Sequence, residues 1–368
     1  MSSIMDKLKK ASKLPQSAAL DNSKIFKGAD VVQTSVPMIN VALSGSLTGG
    51  LTGGLTVLAG PSKHFKTSFA FLLAGAYLKK HPDAVMLFYD SEFGSPEGYF
   101  KTYGIDRSRV FHTPIMNVEQ LKFDLMAQLE NISREDKVII VIDSIGNLAS
   151  KKEVDDALKE SDKADMTRAK QLKSVFRMAT PYLKMNDIPM IAINHTYQTQ
   201  EMFSKAVVSG GTGIYYSADN IWIIGRRQEK EGTEVTGYHF IINEEKSRFV
   251  REKSKIPISV SWEGGIEKYS GLLELAVEGN FVHKGKKGRS LGYFHMDHTT
   301  GEVEEKAHYE KETMNAEFWD RYLKLPAFND YIESRYKISH ADNDEDEDEI
   351  LEAIGASEDT GGIEMDSE

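Results

Sequence analysis

Lys66 and Thr67 close a nine-residue stretch, Gly60-Pro61-Ser62-Lys63-His64-Phe65-Lys66-Thr67-Ser68, whose residue types suit one chemistry. An apolar run, Leu55 to Ala59, leads into it and a second, Phe69 to Leu78, follows. The first is too short for a helix; the second has the length of about three turns. Strand, tight loop and helix N-terminus in that order aim backbone N–H groups at phosphate. The spacing from Gly60 to Lys66-Thr67 is that of a P-loop, where the lysine reaches the β- and γ-phosphates and the hydroxyl binds Mg²⁺. One position departs from the pattern. Phe65 stands where a second glycine is expected.

Other candidates close later apolar runs, as ligand-binding groups do at the carboxyl ends of strands in open α/β sheets. Val138 to Ile142 ends in Asp143-Ser144, the Walker-B arrangement in which a carboxylate places Mg²⁺ opposite the P-loop hydroxyl. Asp also ends strands as a turn former or helix cap, so its weight comes from the P-loop upstream. Ala84 to Tyr89 ends in Asp90-Ser91-Glu92, where a carboxylate would orient or deprotonate a water at the γ-phosphate, or merely cap a helix. Ile188 to Ile193 ends in Asn194-His195, groups able to contact a γ-phosphate.

Two stretches suggest nucleic acid. Thr196 to Tyr216 mixes Tyr197, Phe203, Tyr215 and Tyr216 with Lys205 and the run Ser209-Gly210-Gly211-Thr212-Gly213. Glycine-rich turns bind phosphate through backbone N–H groups, and aromatic rings stack on bases. Ala149 to Lys163 precedes Arg168, Lys170, Lys173 and Arg177, which read equally as a solvated helix face. Lys246 and Arg248, after Glu244-Glu245, form either a solvated hairpin or a cation pair reaching a neighbour's triphosphate in trans.

The elements that must position these residues alternate. Short branched apolar runs at 84–89, 138–142, 188–193 and 221–224 fit strands buried on both faces. The first three are separated by 94–130 and 161–185, whose 3.6-residue patterning reads as helix. The order predicts a mostly parallel α/β sheet. Runs at 239–242 and 256–260 without long helices predict an antiparallel extension. Met1 to Lys24 reads as a short amphipathic helix, and from Leu272 onward as a small α+β unit. Hence four parts: 1–30, an N-terminal helical or oligomerisation segment, which packs either on its own domain or on a neighbour; 31–270, the core; 271–340, a small C-terminal domain; and 341–368, a disordered tail.

At 368 residues, 40% hydrophobic and 27% charged, the chain has the composition of a globular protein with a sizeable core. With no cysteine, disulfides, thiol catalysis and thiolate metal sites are excluded. No apolar run reaches bilayer length and residues 1–10 lack a signal-peptide core, which predicts a cytoplasmic protein. The net charge of −11 is local: residues 341–368 hold six Asp, seven Glu and no Lys or Arg, so the rest carries +2. Such a tail keeps the protein in solution or competes for a basic groove.

With these residues assembled, the chain resembles the RecA-like recombinases, and in particular the UvsX group of T-even-type bacteriophages, from about Phe26 to about Gly271 and more loosely beyond. The resemblance rests on the P-loop, Phe88-Tyr89-Asp90-Ser91-Glu92-Phe93-Gly94, Val141-Ile142-Asp143-Ser144, Ile193-Asn194-His195-Thr196-Tyr197 and Gly210-Gly211-Thr212-Gly213, in that order. The phage group also has Phe before the P-loop lysine. The fold it implies is a RecA-like P-loop ATPase core with antiparallel extension and small α+β C-terminal domain. It implies that Gly60 through Ser68 bind ATP, with Thr67 and Asp143 on Mg²⁺; that Glu92 activates water; and that Tyr99 stacks on adenine. It further implies that His195 senses the γ-phosphate, where most bacterial relatives have glutamine, and that Lys246 and Arg248 cap ATP across a subunit interface. Ala149 to Lys163 and Thr196 to Ile214 correspond to DNA-binding loops, giving Arg168, Lys170, Arg177, Phe203, Lys205, Gly210 and Gly211 as DNA contacts.

The function implied is ATP-dependent homologous pairing and strand exchange by a DNA-dependent ATPase that forms helical filaments on single-stranded DNA, with ATP at the subunit interface. Implied partners are single-stranded and duplex DNA, a single-stranded-DNA-binding protein and a recombination mediator, with no membrane; the setting is the host bacterial cytoplasm. Two alternatives stand beside it: a hexameric RecA-like helicase, which needs a primase-binding domain this N-terminus is too short to supply, and a filament regulator that binds ATP and DNA without turnover.

Overall fold

The computed structural model describes residues 4–338, apart from 15, 24, 26–27, 96, 160–166, 199–205, 232–233, 262–264 and 289. The expected DNA contacts Phe203 and Lys205, and the acidic tail at 341–368, lie outside the described residues. The strands are β1 (Gly54–Ala59), β2 (Val85–Asp90), β3 (Val110–Pro114), β4 (Val138–Asp143), β5 (Pro189–Asn194), β6 (Thr196–Gln198), β7 (Ala206–Val208), β8 (Asn220–Glu231), β9 (Glu234–Ser247), β10 (Lys255–Ser261), β11 (Gly265–Ile266), β12 (Val282–Lys287), β13 (Ser290–Met296) and β14 (Val303–His308). The α-helices are α1 (Ile4–Ala11), α2 (Pro37–Ser44), α3 (Lys66–Lys80), α4 (Glu97–Thr102), α5 (Val118–Asn131), α6 (Lys151–Leu158), α7 (Thr167–Met185), α8 (Thr212–Ser217), α9 (Leu272–Glu278), α10 (Ala316–Leu323) and α11 (Pro326–Tyr336).

Nine strands form one sheet in the order β11-β10-β9-β8-β1-β5-β4-β2-β3. From β8 to β3 every neighbouring pair is parallel; β9, β10 and β11 extend the sheet antiparallel. The near-continuous apolar runs have a physical reason: alternate residues of one strand feed different cores. Leu58, Ile139, Val141, Ile191 and Ile193 pack with α2 and α3 on one face. Val57, Ile140, Ile142, Met190 and Ala192 pack with α5 and α7 on the other, against Leu121, Leu125, Leu129, Leu172, Val175 and Phe176.

The interval 94–130 is not all helix. It holds α4, then the edge strand β3, then α5. As an edge strand with three of its five positions exposed, β3 (Val-Phe-His-Thr-Pro) lacks the apolar run that marks its buried neighbours. The three-stranded sheet β12-β13-β14 packs with α10 and α11 around Phe281, Trp319, Tyr322 and Phe328. Helix α1 buries none of its residues. No helix among the described residues is long and apolar enough to cross a membrane.

The β9 residue Glu244 is fully buried beside its register partner Trp222. Burial pushes its carboxyl well above the usual range, against the Trp222 indole, which favours the ionised form. An acid with a raised folded pKa costs stability as pH climbs above its unfolded value, about 4.3. Glu244→Gln removes that slope. From pH 5 to 8 the thermal midpoint of the variant should gain on the parent; parallel curves would contradict this.

Candidate functional site

Strand register brings the candidates together. Asp90 pairs with Asp143 across β2 and β4, and Ala59 with Asn194 across β1 and β5, so the runs end at one edge of the sheet. A cleft of about 390 Å³ opens there, lined by residues 62–68 with Glu92, Tyr99, Asp143, His195, Arg226 and Tyr238. That is within the usual size for a small-molecule site.

The phosphate loop takes its shape without the second glycine. Phe65 lies in the left-handed region at φ 56°, ψ 20°, directly before α3. For a residue with a Cβ this costs about 1–2 kcal/mol. Its ring packs on Phe240 of β9 at 5.2 Å between centroids, an aromatic contact worth about 0.5–1.5 kcal/mol beyond buried area, so the strain is offset. Phe65→Gly is therefore expected to hold nucleotide binding within about tenfold, since strain relief and lost packing nearly cancel. Complete loss of binding by titration calorimetry would mean that the loop is built around the ring.

The buried Lys66 donates from Nζ to Pro61 O at 2.8 Å, which keeps the ammonium folded back over its own loop. Burial lowers its pKa, while Glu92 and Asp143 oppose. Thr67 Oγ1 donates to Asp143 Oδ2 at 2.8 Å, and Asp143 Oδ1 is buried without a hydrogen-bond partner among the described residues. Burial pushes the Asp143 carboxyl up to about 6, although the Thr67 hydroxyl lowers it. A hydroxyl and a carboxylate with a spare buried oxygen suit a hard divalent cation with oxygen ligands.

Glu92 is held through one oxygen. Its Oε1 accepts from Ser144 Oγ at 2.7 Å and Asn147 Nδ2 at 3.3 Å, and His195 Nε2 lies 3.3 Å away. The His195 imidazole lowers the carboxyl's pKa, burial opposes, and the Ser144 hydroxyl lowers it further. The imidazole fits because residue 146 is glycine: a Cβ there would come within 2.3 Å of His195 Cδ2. Asp90 Oδ1 fixes the turn below by accepting the backbone N–H of Glu92 and Phe93.

His195 also joins the cleft to the glycine loop. Ser209 N donates to His195 O at 2.9 Å, and Asn194 Nδ2 to Ser209 O at 2.6 Å. Gly210 and Gly211 follow at φ 98° and 77°, a backbone suited to glycine, and lead into α8. The hairpin β6–β7 carries the described part of the loop between.

A family model described as "Bacteriophage T4, Recombination and repair protein, C-terminal domain" matches residues 269–332. The chain is 50% identical to the "Recombination and repair protein" of Enterobacteria phage T4 over 347 residues, 94% of this chain and 88% of that one. The chain belongs to the T4 recombination and repair protein family. More distant relatives are the RecA proteins of Bdellovibrio bacteriovorus, 22% identical with 72% of this chain and 68% of that one aligned, and of Streptomyces rimosus, 26% identical with 69% and 66% aligned. This family is one of RecA-like recombinases, and the sheet described above is its RecA-like core.

Against that membership, the remaining candidates fall in three places. Tyr99, on α4, is 36% exposed and lines the cleft. Lys246 and Arg248 lie back from the P-loop end of the sheet: Lys246 registers with Ile221 and Ile221 with Val57, in the middle of β1, while Arg248 N bonds Asp219 O, level with Leu55. About three residues of strand at 3.3 Å each and two strand spacings of about 4.8 Å put Lys246 roughly 14 Å from the start of the P-loop, and Arg248, level with Leu55, lies farther. There Lys246 donates to Tyr215 O, and Arg248 Nε meets Asp219 Oδ1 at 2.6 Å. Arg168 is turned inward, its guanidinium bonded to the carbonyls of Ile145, Gly146 and Leu148, whereas Lys170 and Arg177 are exposed on α7. Ser144, Asn147, Gly146, Arg226 and Tyr238 were not foreseen as site residues. Ser144 directly follows Asp143; only sheet register brings Arg226 and Tyr238 to the loop.

Proposed function

We propose that the protein is an ATP-dependent DNA strand-exchange protein that polymerises on single-stranded DNA with ATP between protomers, in a bacterial host's cytoplasm. The observation that carries this reading is the pair of hydrogen bonds joining Asn194 and His195 to Ser209, because it ties the nucleotide cleft to the glycine loop.

Gly60 through Ser68 would surround the phosphates, with Lys66 leaving Pro61 O to bind them and Tyr99 beside the base. Thr67 and Asp143 fit Mg²⁺, which when bound neutralises charge on the β- and γ-phosphate oxygens. Glu92, kept ionised by its neighbours, would accept a proton from the attacking water on its other oxygen, Oε2. His195 stands where the presence or loss of the γ-phosphate changes its contact with Glu92, and its backbone passes the change to Ser209. Gly210 and Gly211, with Lys170 and Arg177, would hold the DNA backbone, so binding would be sequence-independent and salt-sensitive. Arg168 braces the loop after β4. The four-part division, with duplex DNA, a single-stranded-DNA-binding protein and a mediator as further partners, belongs to the same reading.

The test combines phosphate release with electron microscopy. Single-stranded DNA should stimulate ATP hydrolysis, and a slowly hydrolysed analogue should give helical filaments. Equal turnover with and without DNA, or closed rings, would overturn the reading.

A further inference from the structure

The nucleotide cleft has a cation that comes from outside the phosphate loop. Arg226, on β8, lines it together with Tyr238 of β9. Its Nη1 donates to Lys63 O at 3.0 Å, and its guanidinium lies 4.7 Å from the centroid of the Tyr238 ring. The carbonyl it holds belongs to a strained residue, since Lys63 has φ 60° as Phe65 has 56°. Thus both left-handed, non-glycine positions of the loop are tied to the same two strands: Lys63 through Arg226, Phe65 through Phe240. Arg226 and Phe240 are register partners across β8 and β9, so one rung of the ladder supplies both ties. His64 is no substitute cation; burial lowers its pKa, and the Arg226 and Lys66 charges lower it further, against the Ser62 carbonyl.

We propose that Arg226 is a positioning residue of the nucleotide site, clamping the phosphate loop to the β8–β9 wall and adding positive charge beside Lys66. A loop with glycines at these positions reaches its shape unaided; this one needs an external hold, and a charged donor on a carbonyl is a strong one. The same charge faces the cleft in which phosphate would lie. This inference rests on the cleft being the ATP site.

The experiment measures equilibrium binding of a fluorescent ADP analogue to the full chain without DNA, with thermal midpoints taken in the absence of nucleotide. Arg226→Ala is expected to weaken binding about tenfold or more while the nucleotide-free midpoint stays close to the parent's. Arg226→Lys, which keeps the charge and a donor but not the planar fork, should fall between the two. Parent-like affinity in the alanine variant would overturn the proposal, as would a loss of affinity matched by a collapse of the midpoint, which marks a purely structural arginine. A lysine variant no better than alanine would remove the cation from it. If the parent itself bound no analogue, the ATP-site reading would fail instead.

Discussion

Glu92→Gln is expected to reduce ATP turnover on single-stranded DNA by about two to four orders of magnitude while ATP-dependent DNA binding persists. The size follows from the loss of a positioned carboxylate base. Selectivity follows from geometry: the contacts that fix the side chain come to Oε1, from Ser144, Asn147 and His195, and an amide oxygen accepts there equally well. The glutamine should therefore sit in place, unable to take a proton. Phosphate release and fluorescence anisotropy on labelled oligonucleotide check the two halves. A regulator without turnover would show no change on substitution. Loss of DNA binding together with turnover would show that Glu92 holds the site together and does not only act on water.

Arg248→Ala should lower DNA-stimulated turnover by about three orders of magnitude or more, the usual effect of removing an arginine finger, without changing nucleotide affinity in the isolated protomer. The cause is distance. Arg248 sits at the opposite end of β1 from Lys66 and cannot reach its own triphosphate. The fold should tolerate the change, because Asp219 keeps Lys184 Nζ at 2.7 Å and Leu55 N at 3.1 Å and is not left as an unpaired buried charge. Mixing this variant with Lys66→Ala should restore part of the activity, since each Lys66→Ala protomer lends its Arg248 to an intact P-loop. No recovery on mixing, or equal loss of nucleotide affinity in the protomer, would refute action in trans.

The core of the site was legible because its residues follow apolar runs. Parallel strands buried on both faces leave such runs, and the polar residue ending each must lie at one edge of the sheet, so Asp143, Glu92 and Asn194-His195 could be placed before any coordinate. Edge strand β3 left no such signal, since an exposed face is free to carry His112 and Phe111. Arg168 shows a different limit. A basic residue at the start of a helix reads equally as a solvated face or, by the resemblance, as a DNA contact, but three backbone carbonyls take up its guanidinium.

Phe65 divides the two kinds of knowledge. By itself the sequence determined that a P-loop pattern, Glu92, Asp143 and Asn194-His195 stand in order at the ends of apolar runs, because local spacing and strand periodicity dictate where those groups fall; the roles proposed for them came from the resemblance. How a loop lacking its second glycine holds its shape was decided only by tertiary structure. Phe240 and Arg226, some 160 to 175 residues away, come beneath it through the β8–β9 register. Pairing between strands is set by packing over the whole sheet, which no local stretch encodes. The same register sets Lys246 and Arg248 back from their own P-loop, and the proposed reading therefore has them act on a second protomer's nucleotide.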